Sequence, residues 1–241
     1  MTAVTLVLAA ALYLYLYLTG GPRWLRSLTA RIRSRIPVRG GGAGASAAAR
    51  ARQLRTPAVR IAEALGIRTQ AGALATRSKI GAEGERRTAA RLAPLALAGW
   101  RIWHDRALPY GRANVDHLAI TPRGVVLVLD TKRWSARRPV SVSRGRLWHG
   151  TRDVTGRLDG LRHEASTVAQ VLGVPVIPVV VMDGPDVQGE PLELDGIHIV
   201  PAGAVCTRLR VLVLGRRGHV PISQLDARVD QLLPPYLNGP R

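Results

Sequence analysis

Residues 125–134 read VVLVLDTKRW, and this stretch decides the fold. Its five successive apolar residues predict a strand that is buried on both faces, because a strand with one solvated face alternates apolar and polar residues. The run ends in Asp130, and Lys132 follows two residues later. Side chains two apart on a strand point to the same face. The strand therefore ends in an acid and a lysine that lie side by side.

Lysine is rare in this chain. Lys79 and Lys132 are its only lysines among 35 Lys and Arg residues. Arginine has a pKa above about 12 and a wide planar guanidinium, so it suits neither proton transfer nor a cramped site beside a metal ion. Lys132 thus has a chemical reason to be lysine if the strand end is a reaction site. The competing interpretation is a same-face ion pair of little energetic value.

Two more acids are expected near this pair. The preceding strand, NVDHLAI, contains Asp116, and a turn at 121–124 should bring the two strands together as a hairpin. That hairpin pairs Asp116 roughly with Leu129, so Asp116 and Asp130 can converge. Glu85 lies on an amphipathic helix that should pack across the strands.

The expected cluster suits phosphodiester hydrolysis. Glu85, Asp116 and Asp130 would supply the hard oxygen ligands that Mg²⁺ or Mn²⁺ prefers, with positions left for water and a phosphate oxygen. Lys132 would assist the attacking water or meet the charge that develops on phosphorus. No small-molecule cofactor is expected.

Three stretches resemble the nuclease-related domain, NERD, a family assigned to the PD-(D/E)XK restriction-endonuclease-like superfamily. They are GAEGERRTAARLAPL at 81–95, RALPYGRANVDHLAITPRGVVLVLDTKRW at 106–134, and RLWHG at 146–150. The resemblance is strongest from about residue 80 to residue 148 and weakens through the C-terminal third.

Residue by residue, the resemblance places the family's glycine-glutamate signature on Gly84 and Glu85. It places the strand aspartate on Asp116 and the acid-x-lysine pair on Asp130 and Lys132. The family more often has glutamate at position 130, and the shorter aspartate would shift a bound metal by about one carbon–carbon bond length. The resemblance implies a Mg²⁺-dependent nucleic-acid phosphodiesterase.

The order helix, strands, helix, strand predicts a mixed α/β domain. Together with the resemblance, it gives a restriction-endonuclease-like core over residues 79–238, with a central mixed β-sheet flanked by helices. A single cysteine, Cys206, excludes an internal disulfide framework.

The formal net charge of +19 predicts attraction to polyanions. Nucleic acid is the expected partner, with DNA favoured over RNA. Five arginines flank the expected site and form a candidate phosphate-binding patch, although a merely solvated face needs no extra assumption. They are Arg133, Arg137, Arg138, Arg144 and Arg146. The preference for arginine over lysine is typical of a GC-rich, bacterial genome.

Residues 2–18 contain no charge, and three tyrosines lie toward their C-terminal end. This pattern predicts a transmembrane anchor over residues 2–19 rather than a cleaved signal peptide. The arginines that follow predict a single-pass protein of the cell membrane whose C-terminal domain is cytoplasmic. Residues 20–78 are interpreted as a basic, flexible linker near anionic lipid, or alternatively as an arm that grips nucleic acid.

Two functional alternatives from other classes remain open at this point. One is a catalytically inactive, membrane-tethered nucleic-acid-binding module, which metal-dependent cleavage would exclude. The other is an adaptor that contacts only proteins, which salt-dependent binding to nucleic acid would exclude.

The apolar N-terminal segment predicts that full-length protein fractionates with membranes and resists extraction by salt. Removal of residues 2–19 should abolish integral insertion and leave weak, salt-sensitive association through the arginines. Fractionation of both forms in low and high salt is the measurement. Recovery of the full-length protein in the soluble fraction at low salt, without detergent, would contradict the anchor.

Overall fold

A six-stranded mixed sheet organises the chain, with strands in the order β1-β2-β3-β7-β9-β8. β1, β2 and β3 are antiparallel neighbours, β7 and β9 run parallel to β3, and β8 returns antiparallel to β9. The six strands are β1 (Arg101–Ala107), β2 (Asn114–Ile120), β3 (Val126–Arg133), β7 (Val176–Asp183), β8 (Leu192–Leu194) and β9 (Ile197–Pro201). A separate small sheet consists of β4 (Val140–Ser143), β5 (Arg146–His149) and β6 (Arg152–Asp153).

This computed structural model describes residues 42–109, 111, 113–189 and 191–236. Its helices are α1 (Ala45–Leu54), α2 (Pro57–Ala64), α3 (Gln70–Leu97), α4 (Asp159–Leu172), α5 (Val205–Leu212) and α6 (Ile222–Leu232). Single 3-10 turns occur at Thr155–Leu158 and Ala202–Ala204. The predicted anchor at 2–19 lies outside these ranges, and within them no helix has the length and apolarity needed to cross a bilayer.

Helices cover both faces of β3, which explains its unbroken apolar run. Leu127 and Leu129 pack on one face with side chains of α3 and α5. Val126 and Val128 pack on the other face with side chains of α4 and α6. All four β3 side chains are buried. The predicted α/β fold, with a central mixed sheet flanked by helices, is confirmed.

The turn between β2 and β3 sets the register of the hairpin. The Thr121 N–H donates to the Val125 carbonyl at 2.9 Å, and the Thr121 hydroxyl accepts the Val125 N–H at 3.0 Å. Gly124 closes the turn with a φ of +77°, a conformation that glycine adopts without steric cost. The resulting register pairs His117 with Leu129, one residue away from the predicted pairing of Asp116 with Leu129.

The N-terminal part of the described chain is helical where the sequence suggested a flexible linker. α1 and α2 lie entirely within residues 20–78, and α3 begins at Gln70, so the predicted boundary at residue 79 falls inside a helix. α1 packs against α3 so closely that a Cβ on Gly44 would lie 2.6 Å from the carbonyl oxygen of Ala82. The division into anchor, linker and nuclease domain otherwise stays a prediction.

A glycine allows α3 to approach β3 closely near the strand's end. A Cβ on Gly84 would lie 3.3 Å from both Thr131 Cγ2 and Arg133 Cβ. These atoms belong to the first part of each side chain and cannot swing away freely. Gly84 therefore brings the backbone beside Glu85 to the end of β3.

Substitution of two glycines on α3 tests this contact. Gly81→Ala meets nothing within 4 Å and should raise the free energy of unfolding by about 0.5–1 kcal/mol through helix propensity. Gly84→Ala should show no such gain, because its methyl group must displace Thr131 or Arg133. Urea unfolding of both variants is the measurement, and equal stabilisation would contradict the close approach.

Candidate active site

The backbone pairing between β2 and β3 ends one residue before Asp116 and Asp130. The last paired residues are His117 and Leu129, so the same register would place Asp116 level with Asp130. Instead of a backbone carbonyl, the Asp116 side chain accepts the Thr131 N–H, at an Oδ2–N distance of 3.2 Å. The structure thus brings the two aspartates together at the point where the strands cease to pair.

Asp130 and Lys132 lie on the same face of β3, as their spacing predicts, and their side chains form an ion pair. The Asp130 side chain is only 8% exposed, whereas the Lys132 side chain is 26% exposed. The ammonium group is therefore held by a buried carboxylate and remains reachable from solvent.

Glu85 reaches the same region from α3. Its carboxylate is buried and accepts a backbone hydrogen bond from Gly44, just before α1. The other oxygen, Oε2, is buried without a hydrogen-bond partner. A buried carboxylate oxygen without a partner is costly in a folded protein, and a bound ion, a water molecule or a functional role can account for it.

Glu164 is a fourth acid of the cluster, and the sequence interpretation missed it. It lies on α4, and its charge interacts with those of Asp130, Lys132 and Glu85. Its Oε2 is also buried without a hydrogen-bond partner. A signal was present in the sequence: Glu164 is three residues after Leu161 and four before Val168, on the stripe that α4 buries. An acid within an apolar stripe is unusual and could have identified it.

Burial and then like charges raise the pKa values of these acids. Burial, followed by the charges of Asp105 and Asp130, raises the pKa of Glu85 to about 7. Burial and the charge of Asp130 raise the pKa of Glu164 to about 8. Burial and the charges of Glu85, Asp130 and Glu164 raise the pKa of Asp116 well above its usual value. The cluster thus retains protons that isolated carboxyl groups would release at lower pH.

The pKa of Lys132 moves in the direction that keeps it charged. Burial alone would lower this pKa, but the charge of Asp130 and the hydrogen bond to it outweigh burial, and the net pKa is raised. Lys132 is therefore a permanent cation near neutral pH.

Asp105 supports the site from β1. It is fully buried and has a φ of +51°. Its Oδ2 accepts a hydrogen bond from the N–H of Ser46, a residue in the first turn of α1, at 2.6 Å. Its Oδ1 accepts the Asn114 side-chain N–H at 2.9 Å. A carboxylate at a helix N-terminus is stabilised by the helix dipole. The N-terminal helix is thus joined to the wall of the site.

Thr131 points to the opposite face of β3 and joins a buried polar chain. Its hydroxyl donates to Thr88 Oγ1 at 3.0 Å and lies 3.5 Å from His117 Nε2. His117 Nδ1 is 2.8 Å from His104 Nδ1. Burial lowers the pKa of His104 to about 4 and that of His117 well below its usual value. These neutral histidines tie β1, β2 and β3 together and do not face the acids.

The predicted arginine patch divides into two groups. Arg133 is half-buried and faces Asp183, with a Nε–Oδ2 distance of 3.8 Å; Arg91 contacts the same carboxylate at 3.2 Å. Arg146 is exposed and pairs with Asp153 at 2.6 Å. Arg137, Arg138 and Arg144 are exposed, on or before the small sheet. Four of the five arginines are therefore available to a large anionic ligand.

The donor set fits a divalent cation in its chemistry but not in its present arrangement. Carboxylates are the ligands that Mg²⁺ prefers, and two of their buried oxygens lack a partner. Within the described ranges, however, no group of three or more His, Cys, Asp or Glu side chains is positioned to hold a metal ion. Because Asp130 is paired with Lys132, ion binding would require the side chains to rearrange.

Two clefts lie away from the candidate site. One of about 870 Å³ is lined by Arg123, Gly215 and residues 217–222, and a smaller one of about 260 Å³ adjoins it. Both lie at the β2–β3 turn, which is about 20 Å along β3 from Asp130. At the candidate site the Asp130 side chain is buried and the Lys132 side chain is partly exposed.

The raised carboxyl pKa values predict how stability depends on pH in metal-free buffer. Folded Glu85 and Glu164 hold protons that the unfolded chain releases near pH 4.5. The free energy of unfolding should therefore fall as pH rises from about 5 to about 8. Glu164→Gln cannot titrate and should make this fall shallower. Denaturant titrations across the range are the measurement, and identical slopes for both proteins would contradict the raised pKa.

Comparison with known proteins agrees with the motifs. The family model described as the nuclease-related domain matches residues 80–182. The crystal structure of a repair endonuclease from Pyrococcus abyssi aligns with 46% of this chain and 45% of its own, at 15% identity and a TM-score of 0.29. Nothing about fold or activity follows from so slight a likeness. No curated protein matches the chain. The family match confirms, for residues 80–182, the resemblance to the nuclease-related domain that the sequence motifs carry.

Proposed function

We propose that this protein is a Mg²⁺- or Mn²⁺-dependent nuclease that hydrolyses nucleic-acid phosphodiester bonds at the cytoplasmic face of the membrane. The observation that supports it most is the accumulation of uncompensated carboxylates beside one lysine at the end of β3. That cluster lies within the part of the chain that matches the nuclease-related domain.

Glu85, Asp116 and Asp130 are the proposed metal ligands. Glu164 is a further candidate ligand, because its charge interacts with those of Asp116 and Asp130. A divalent cation, when bound, would polarise the scissile phosphate and favour ionisation of the attacking water. The carboxylates would then lose the mutual repulsion that raises their pKa values. A bound cation would displace the protons that these carboxyl groups hold in its absence.

Lys132 is proposed to stabilise the charge that develops on the phosphoryl oxygens. Its raised pKa keeps it protonated, so it cannot serve as a general base near neutral pH. Its partial exposure lets the ammonium group contact a phosphate that approaches the strand end. Asp130 fixes the position of the ammonium group before substrate arrives.

The exposed arginines are proposed to bind the backbone of the substrate. Arg137, Arg138, Arg144 and Arg146 extend from the strand end along the loop and hairpin that follow β3. Contacts to phosphates bind without regard to sequence and weaken as salt rises. DNA remains the favoured substrate, and the anchor at residues 2–19 remains the proposed attachment to the membrane.

The two lysines of the chain provide a matched test. Lys132→Arg keeps the charge, yet cleavage of nucleic acid with Mg²⁺ or Mn²⁺ should fall by at least about a hundredfold, because arginine cannot occupy the same space beside Asp130. Lys79→Arg, on the exposed side of α3, should cleave like the wild type. Asp116→Asn and Asp130→Asn should abolish cleavage. Full activity of Lys132→Arg would show that Lys132 does not act on the phosphate.

A catalytically inactive nucleic-acid-binding module is the second candidate. The observation in its favour is that Asp130 and Lys132 already satisfy each other and that the described acids are not arranged as a metal site. This candidate expects salt-sensitive binding of DNA without cleavage by the wild type at any concentration of Mg²⁺ or Mn²⁺. Isothermal titration with Mn²⁺ alone distinguishes a metal site from a binding surface independently of activity.

A further inference from the structure

Helix α2 turns its apolar side away from the protein. Val59 is its one buried residue and packs toward the body, whereas Ile61 is 62% exposed. Leu65, at the C-cap, follows Ile61 by one helical turn and is 71% exposed. Residues four apart share a helix face, and Val59 and Ile61 are nearly opposite each other. The apolar stripe that normally faces a core here faces outward.

Further exposed apolar residues follow α2 in the chain. Ile67 is 56% exposed in the connection to α3, and Leu74 and Ile80 are exposed on α3 itself. Five of the nine exposed large hydrophobic residues of the described chain therefore fall within residues 61–80. We call this stretch the outward apolar surface. Clustered exposure of this kind marks a contact site rather than ordinary scatter.

The charge around the outward apolar surface is almost entirely positive. Residues 50–80 contain seven Lys and Arg residues against one acid, Glu63. The seven are Arg50, Arg52, Arg55, Arg60, Arg68, Arg77 and Lys79. Arg60 and Arg68 are exposed and adjoin the apolar residues in sequence. Aliphatic side chains bordered by arginines suit a surface that offers both acyl chains and negative headgroups.

We propose that the outward apolar surface lies on an anionic lipid bilayer, with Ile61, Leu65 and Ile67 inserted at the headgroup boundary. Residues 61–80 contain no aromatic side chain that could stack on bases, which disfavours nucleic acid as the occupant. The described chain begins at Gly42, directly before these helices, and the uncharged residues 2–18 precede it. The proposal does not depend on cleavage, and it concerns contact along the bilayer rather than insertion across it.

Site-specific labelling of the full-length protein tests the proposal. In a Cys206→Ser background, an environment-sensitive fluorophore is placed at Leu65→Cys or, as the matched control, at Leu97→Cys. Leu97 is also exposed, at 64%, but it ends α3, about 35 Å along the helix from Leu74. Vesicles with phosphatidylglycerol and brominated acyl chains should quench the label at residue 65 at least about threefold more than the label at residue 97.

Charge variants identify the lipid requirement. Arg60→Glu together with Arg68→Glu should remove most of the extra quenching at residue 65, and so should vesicles of phosphatidylcholine alone. Equal quenching at residues 65 and 97 overturns the proposal, even if residues 2–19 hold the protein in the membrane. Shielding of residue 65 by an oligonucleotide, or by the protein itself before vesicles are added, also overturns it and identifies the other occupant.

Discussion

Mutual repulsion among buried carboxylates is the constraint around which this end of the molecule is built. Three of the four acids, Asp116, Asp130 and Glu85, have a partner that lowers the cost of their charge. Thr131 donates a backbone N–H to Asp116, Lys132 pairs with Asp130, and Gly44 donates to Glu85. Two buried oxygens still lack partners. A folded protein keeps such an arrangement only where other contacts overdetermine it.

Those other contacts lie on the opposite face of the sheet. Thr88, Thr131, His117 and His104 form a continuous polar chain from α3 across three strands. Because the two histidine Nδ1 atoms are 2.8 Å apart, one ring donates and the other accepts, which requires at least one uncharged nitrogen. The chain fixes the separation of β2 and β3 beside the acids. An uncharged polar network thus lies across the sheet from the cluster of acids.

The strands of the site could be predicted from the sequence because their signals are local. The apolar run of β3 and the turn at 121–124 placed Asp116, Asp130 and Lys132 near one another. The one-residue error in register arose because Val125, bonded to Thr121, belongs to the turn and Ile120 pairs with Val126. Glu164 was missed since its partners are distant in the chain. α1 and α2 were read as linker because their Ala-rich sequence carries little inward apolar pattern; tertiary packing against α3 holds them.

The junction between α1 and the candidate site has a consequence for where the α/β domain can be cut. A fragment that starts at the predicted domain boundary, residue 79, loses Gly44 and Ser46 and begins in the middle of α3. Asp105 would then lose a charge-assisted backbone donor, a loss of about 1–3 kcal/mol. Proteolytic trimming in the cell would carry the same penalty. A fragment that keeps this contact therefore starts before Gly44, and α1 is structurally part of the α/β domain.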